Sequence, residues 1–140
     1  GAKEGKAIKN KFLKKLPALK YLKDAVASAA DERGWVKGLD GRIIPIRHSH
    51  AALNTLLQSC GAIICKTWYV FIADAIKKAG LDAHIVAFVH DEVQVVVREG
   101  QEDETGRLIL QCMRDVEQHF GFRCRLDSEY KYGRNWSDTH

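Results

Sequence analysis

An α+β fold is predicted for this chain by three observations. Apolar residues recur every three or four positions over residues 3–30, 50–79 and 101–119, which is helical periodicity. The run from His84 to Arg98 is rich in β-branched residues and alternates in polarity, as a β-hairpin does. Strands joined by a hairpin run in opposite directions, so the sheet is expected to be antiparallel. It is expected to consist of the hairpin plus a final strand, packed with one long and several shorter helices.

Each element has its own signal. Ile8, Phe12, Leu16, Leu19, Leu22 and Val26 line one face of a helix over residues 3–30. Pro17 should break that helix near Leu16, because proline removes a donor and clashes with the preceding turn. Gly34 should end it. Trp35-Val36-Lys37 and Ile43 to Arg47 read as short strands around the turn Gly38-Leu39-Asp40-Gly41. Ser49 is a candidate helix cap and Gly80 a stop. Between them an apolar stripe from Leu53 to Ile76 gives a helix about 45 Å long at 1.5 Å per residue. His50, Asn54 and Gln58, four apart, are expected to stack on one polar flank of it. Residues 101–119 make a further amphipathic helix, opened by acids that suit the helix dipole and closed by Gly121. Phe122, Cys124 and Leu126 alternate with Arg123, Arg125 and Asp127, which predicts the last strand. The tail from Lys131 to His140 gives no assignable pattern.

At 140 residues the chain is expected to form a single domain, residues 1–140, burying roughly two-thirds of the surface its unfolded form would expose. Its 46% hydrophobic and 29% charged content is that of a soluble globular protein, and no apolar run is expected to approach the ~18 residues of a membrane span. Gly1 stands where a native start has Met, so the sequence is expected to be a processed or excised piece. The four cysteines (Cys60, Cys65, Cys112, Cys124) have neither CxxC pairing nor the density of a disulfide scaffold, and reduced thiols are expected. His48, His50 and Cys60 lack a recognised metal-ligand spacing. Net charge is +4, yet the segment up to Asp24 holds eight lysines against two acids, and Arg33, Lys37, Arg42, Arg47 and Lys66 extend the basic bias. A polyanion is the natural partner of such a surface; a lysine face that merely solvates a helix is the alternative.

The densest chemistry lies at His90-Asp91-Glu92, two adjacent acids at or next to the hairpin tip. Like charges held close together are relieved by a cation, which gives each carboxylate a use. Taken alone, the triplet is better read as an ordinary polar turn.

GWVKGLDGR, then HSHAALNTLLQSCGAIICK, then VHDEVQV, with a basic helix before them, resemble the C-terminal part of A-family DNA polymerases, above all the single-subunit replicative polymerases of short-tailed bacteriophages. The ending, with Gly133, Asn135-Trp136 and terminal His140, is similar too, so the resemblance covers essentially the whole chain. It implies a palm-type sheet with adjoining fingers-side helices, and Asp91 as a direct ligand of two Mg²⁺ ions with Glu92 in support. It implies His90 near the primer terminus, Gln58 and Asn54 facing the minor groove at the newest base pair, and His50, Arg47 and Arg42 as neighbouring DNA contacts. A donor in the minor groove meets an acceptor in every correct pair, and so tests pair geometry without reading sequence. The implied partners are primer-template DNA, dNTP and the missing N-terminal portion of the polymerase, with no membrane, in the cytoplasm of a host cell.

Two positions depart from the family pattern. His50 stands where the bacterial repair branch commonly has arginine, and Phe88 replaces a glutamine two positions before the motif histidine. The aspartate-bearing first motif, the dNTP-gripping fingers helix, the thumb and the exonuclease domain are not found in the 140 residues. The expectation is therefore the C-terminal part of a DNA-directed DNA polymerase that is inactive without its other half. A non-catalytic nucleic-acid-binding module derived from a polymerase is the alternative, and a small metal-dependent phosphoesterase built on Asp91 and Glu92 a weaker third.

Overall fold

Proline sets the first boundary. In the computed structural model, which describes residues 1–139, helix α1 (Ala2–Lys15) stops one residue before Leu16, and α2 (Pro17–Arg33) begins on the proline itself. Leu16 takes φ −125° and ψ 71°, outside the α region that a following proline disfavours, and Pro17 sits at the N-terminus where its missing N–H costs nothing. Gly34, at φ 75°, closes α2 by returning its N–H to the Ala30 carbonyl at 2.9 Å. Strands β1 (Trp35–Lys37) and β2 (Ile43–Pro45) then pair antiparallel, Val36 opposite Ile44. Val26, Ala30, Val36 and Ala52 are the buried core of this part, with Ile44, Ile46 and Leu56 packed on it.

Ser49 does not cap a helix. It opens a 3₁₀ turn, Ser49–Ala51, in which the Ala51 N–H reaches the His48 carbonyl at 2.9 Å, so backbone meets the first donor and no side-chain cap bond forms. The long helix α3 (Ala52–Ala79) follows and ends at Gly80. The stretch Ser49–Ala79, 31 residues with a mean hydropathy of 1.4 in its most apolar window, is long and apolar enough by length and composition to cross a membrane. This corrects the expectation that no stretch reaches that length: counting uninterrupted runs missed an apolar average broken by scattered polar residues. Core helices pass the same test, and Trp68, Ile72 and Ile76 of α3 are buried in protein.

The chain divides into two units, Gly1–Cys60 and Gly61–His140. In the second, β3 (Ala83–Val89) and β4 (Glu92–Val97) pair antiparallel. Helix α4 (Glu102–Phe120), closed by Gly121 at φ 64°, contributes Cys112, Met113 and Val116 to a core shared with Trp68, Ile72, Ile76 and Ala83. Val93, Val95 and Val97 pack on that core while Val96 is exposed, as the alternation predicts. The Trp68 indole donates to the Ile109 carbonyl at 3.0 Å, joining α3 to α4.

The expected final strand is absent among the described residues: the sheets are β1-β2 and β3-β4, and residues 122–127 join neither. The backbone groups of Leu126 are met by side chains of α4 instead. The Glu117 carboxylate accepts the Leu126 N–H at 2.7 Å, and Arg114 donates to the Leu126 carbonyl and, at 2.6 Å, to Asp127. With both backbone groups of Leu126 satisfied by side chains, that residue needs no ladder partner. Tyr130 lies over Gly106 of α4 and donates to Asp103 at 3.1 Å. The tail then forms a 3₁₀ turn, Trp136–Thr139; His140, part of the resemblance at the chain's end, lies outside the described residues.

Candidate functional site

The β3–β4 hairpin turns on two residues. Val89 pairs with Glu92, leaving His90 and Asp91 as the loop, and His90 takes φ 55°. Positive φ in a two-residue loop matches the twist of the flanking strands, and histidine tolerates it better than most side chains. The anchoring is one-sided. Ile85, Val93, Val95 and Val97 pack into the core, and Phe88 meets Tyr69 of α3 edge to face with ring centroids 5.6 Å apart. The tip itself is wet: His90 and Asp91 are exposed and Glu92 is half-buried.

Glu92 accepts a short hydrogen bond from the Gln94 amide, one pleat along the same strand face. Alternation could have found Gln94, since i and i+2 share a face. The charge of Asp91 is felt on α3: burial first, and Asp91 second, raise the Cys65 thiol above its ordinary value. Burial pushes the Cys112 thiol up to about 11, and the four cysteines are free, in agreement with reduced thiols. Among the described residues no group of three or more His, Cys, Asp and Glu side chains is placed to hold a metal ion. Asp91 and Glu92 are hard oxygen donors of the type Mg²⁺ takes, but they supply only part of a six-ligand shell.

The remaining candidate residues belong to the unit Gly1–Cys60. Arg42 is not a bare cation: its guanidinium donates to Asp40 at 2.7 Å across the β1–β2 turn, and that bond holds the Asp40 carboxyl below its ordinary value. The sequence reading overlooked Asp40, although a carboxylate two residues away in a turn is within reach. Arg47 is exposed. His50 lies in the 3₁₀ turn, its ring stacked on His48 at 5.5 Å. It therefore stands outside α3, and only Asn54 and Gln58, both exposed, share the helical flank expected of all three.

The family model for DNA polymerase family A matches residues 1–138. The chain belongs to DNA polymerase family A. It is 39% identical to a DNA-directed DNA polymerase of Enterobacteria phage T3 and 38% to one of Escherichia phage T7, in each case over 100% of this chain and 23% of the relative. It is 29% identical to DNA polymerase I of Aquifex aeolicus, over 79% of this chain and 20% of that protein. Among solved structures it is similar to the POL domain of Pol1 from M. smegmatis in complex with DNA primer-template and dNTP, with a TM-score of 0.75 and 25% identity over 83% of this chain and 23% of that one. The chain thus spans less than a quarter of the length of these A-family relatives.

Proposed function

We propose that the chain is the palm segment, with adjoining fingers-side helices, of a replicative DNA-directed DNA polymerase acting in the cytoplasm of a host cell. The observation that carries this reading is the solvent-facing His90-Asp91 loop with Glu92 beside it, in a chain matched to the family from residue 1 to residue 138. Asp91 and Glu92 would hold Mg²⁺. Bound there, the metal supplies charge neutralisation for in-line displacement at a nucleotide α-phosphate. Gln94 fixes one Glu92 oxygen and so orients the carboxylate. His90, on its exposed turn, donates to a phosphate or sugar oxygen near the primer end. Asn54 and Gln58 offer donors to the minor groove of the newest base pair, with His50, Arg47 and Arg42 on the backbone beside it.

Two carboxylates do not complete a two-metal site, so the chain by itself is expected to be inactive. The test is reconstitution: this chain is mixed with the phage T7 polymerase lacking the segment it matches, together with primed template, Mg²⁺ and dNTPs. Primer extension is expected, and Asp91→Ala should lower it by more than about 100-fold, beyond what losing an outer-shell partner gives. A folded complex that does not extend primer overturns the assignment.

One observation favours a second reading, a non-catalytic nucleic-acid-binding module: the lysines of α1 and α2 stand without a complete metal-ligand group among the described residues. Under that reading, salt-dependent binding to primed DNA is unaffected by Asp91→Ala and extension never appears.

A further inference from the structure

Leu16 and Pro17 part α1 from α2, and the two helices leave between them an open notch of about 490 Å³ within the unit Gly1–Cys60. Its lining is apolar at Leu13, Pro17, Tyr21 and Ala25, with Lys14, Lys20 and Asp24 set among them. We propose that this notch seats a base of single-stranded DNA, with the ring of Tyr21 as its stacking surface and Lys14 and Lys20 on the flanking phosphates. The inference rests on the nucleic-acid part of the reading above, which both of its forms share, and not on catalysis.

Helical spacing builds the arrangement. Pro17, Tyr21 and Ala25 are four apart and share one line along α2, while Lys20 and Asp24 share the neighbouring line. Tyr21 is 78% exposed, so the flat apolar face of a large ring stands in water. The charges beside it suit an anion. Asp24 is no bare acid, because its carboxylate accepts from Lys20 at 2.8 Å and from Lys23 at 3.3 Å. Three lysines thus face one carboxylate that is already paired, and Lys14 has no acidic partner among the described residues. Lys11, three residues before Lys14 and so next to it on the surface of α1, continues the basic edge.

Two features select an unpaired strand. A base inside a duplex has both faces covered by its neighbours, whereas an unpaired base is free to lie on a side-chain ring. A concave site of this volume is also nucleotide-sized, not duplex-sized. An acidic peptide satisfies the lysines but gives the Tyr21 ring no use. A single strand brings base and phosphate in alternation, and the notch offers ring and cation in the same alternation.

The full chain is titrated against a fluorescein-labelled oligodeoxythymidine of about 12 nucleotides, a length within the site sizes of single-strand binders, with folding checked by circular dichroism. Tyr21→Ala should weaken binding at least about tenfold, near the lower end of what one stacked base contributes; Tyr21→Phe keeps the ring and should stay within about twofold. Tyr132→Ala, which removes an exposed tyrosine outside the notch, should also stay within about twofold. An abasic strand of the same length should bind at least about tenfold more weakly, and Tyr21→Ala should change that binding little. Lys14→Gln should lower the slope of log affinity against log salt by about 0.7, one phosphate contact on a single strand, and carries the test should Tyr21→Ala fail to fold. No binding by the unmodified chain, unchanged binding by Tyr21→Ala, equal loss with Tyr132→Ala, an unchanged salt slope in Lys14→Gln, or equal affinity for the abasic strand overturns the inference. So does polyglutamate that displaces the labelled strand as well as unlabelled strand does at matched charge, which would assign the lysines to an acidic protein. Tyr21-dependent strand binding with no primer extension in the reconstituted complex leaves the notch standing and sinks the polymerase reading; extension beside strand binding that ignores Tyr21 does the reverse.

Discussion

His90 is the residue whose backbone departs from what its type prefers. A non-glycine at φ 55° carries local strain, of order 1 kcal/mol or more, which surrounding structure must hold. Val89 and Glu92 provide that hold by pairing across the turn. His90→Gly relieves the strain and is expected to leave stability unchanged or raise it by up to about 1 kcal/mol, read from the urea midpoint, while lowering affinity for primed DNA. A clear fall in stability would mean that the imidazole holds the turn rather than serving a ligand. The triplet itself was legible in the sequence, because two alternating apolar runs leave only His90 and Asp91 for the loop. The partners of the charged groups were less so. Asp40 on Arg42 and Gln94 on Glu92 are local geometry: whether two polar side chains two residues apart meet depends on strand or turn, and that is decided only once pairing is fixed.

The elements were legible wherever one strong local term decided them. Pro17 splits the first helical stretch, Gly34, Gly80 and Gly121 close helices, and the valine alternation places Val93, Val95 and Val97 inward. Ser49 and the expected last strand failed for a common reason: another group satisfied the backbone first. The His48 carbonyl takes the donor that Ser49 would have capped, and Arg114 and Glu117 take the groups of Leu126 that a ladder would have used. Periodicity reports which face is apolar, not who answers a backbone amide. Two substitutions test the elements. Ile72 of α3 is fully buried, and Ile72→Ala should cost about 2–5 kcal/mol in urea unfolding. Gly106→Ala sets two effects against each other. Alanine favours α4 by about 1 kcal/mol, but the new methyl collides with the Tyr130 ring that rests on Gly106. Displacing the ring should expose residues 122–139 to protease and lower the Tyr130 hydroxyl toward its ordinary 10.0, since the hydrogen bond to Asp103 is what raises it.

Across the whole molecule, three exposed carboxylates share one electrostatic pattern. Asp24 beside Lys20 and Lys23, Asp40 beside Arg42, and Asp127 beside Arg114 are each held below the ordinary 3.8. A carboxyl whose folded pKa lies below its unfolded value adds stability above the unfolded pKa, and that stability disappears as pH falls through the folded value. Urea midpoints should therefore be flat above about pH 5 and fall below 3.8, with a smaller fall at high salt because exposed pairs are screened. The family was legible from motif order. Within the hairpin, Val86 is dispensable to the pairing. Without it Ile85 would still oppose Val95 and Ala87 would still oppose Gln94, in one unbroken ladder with the loop at the same place. Taking Val86 out is therefore a one-residue change that leaves every other cross-strand partner where it stands.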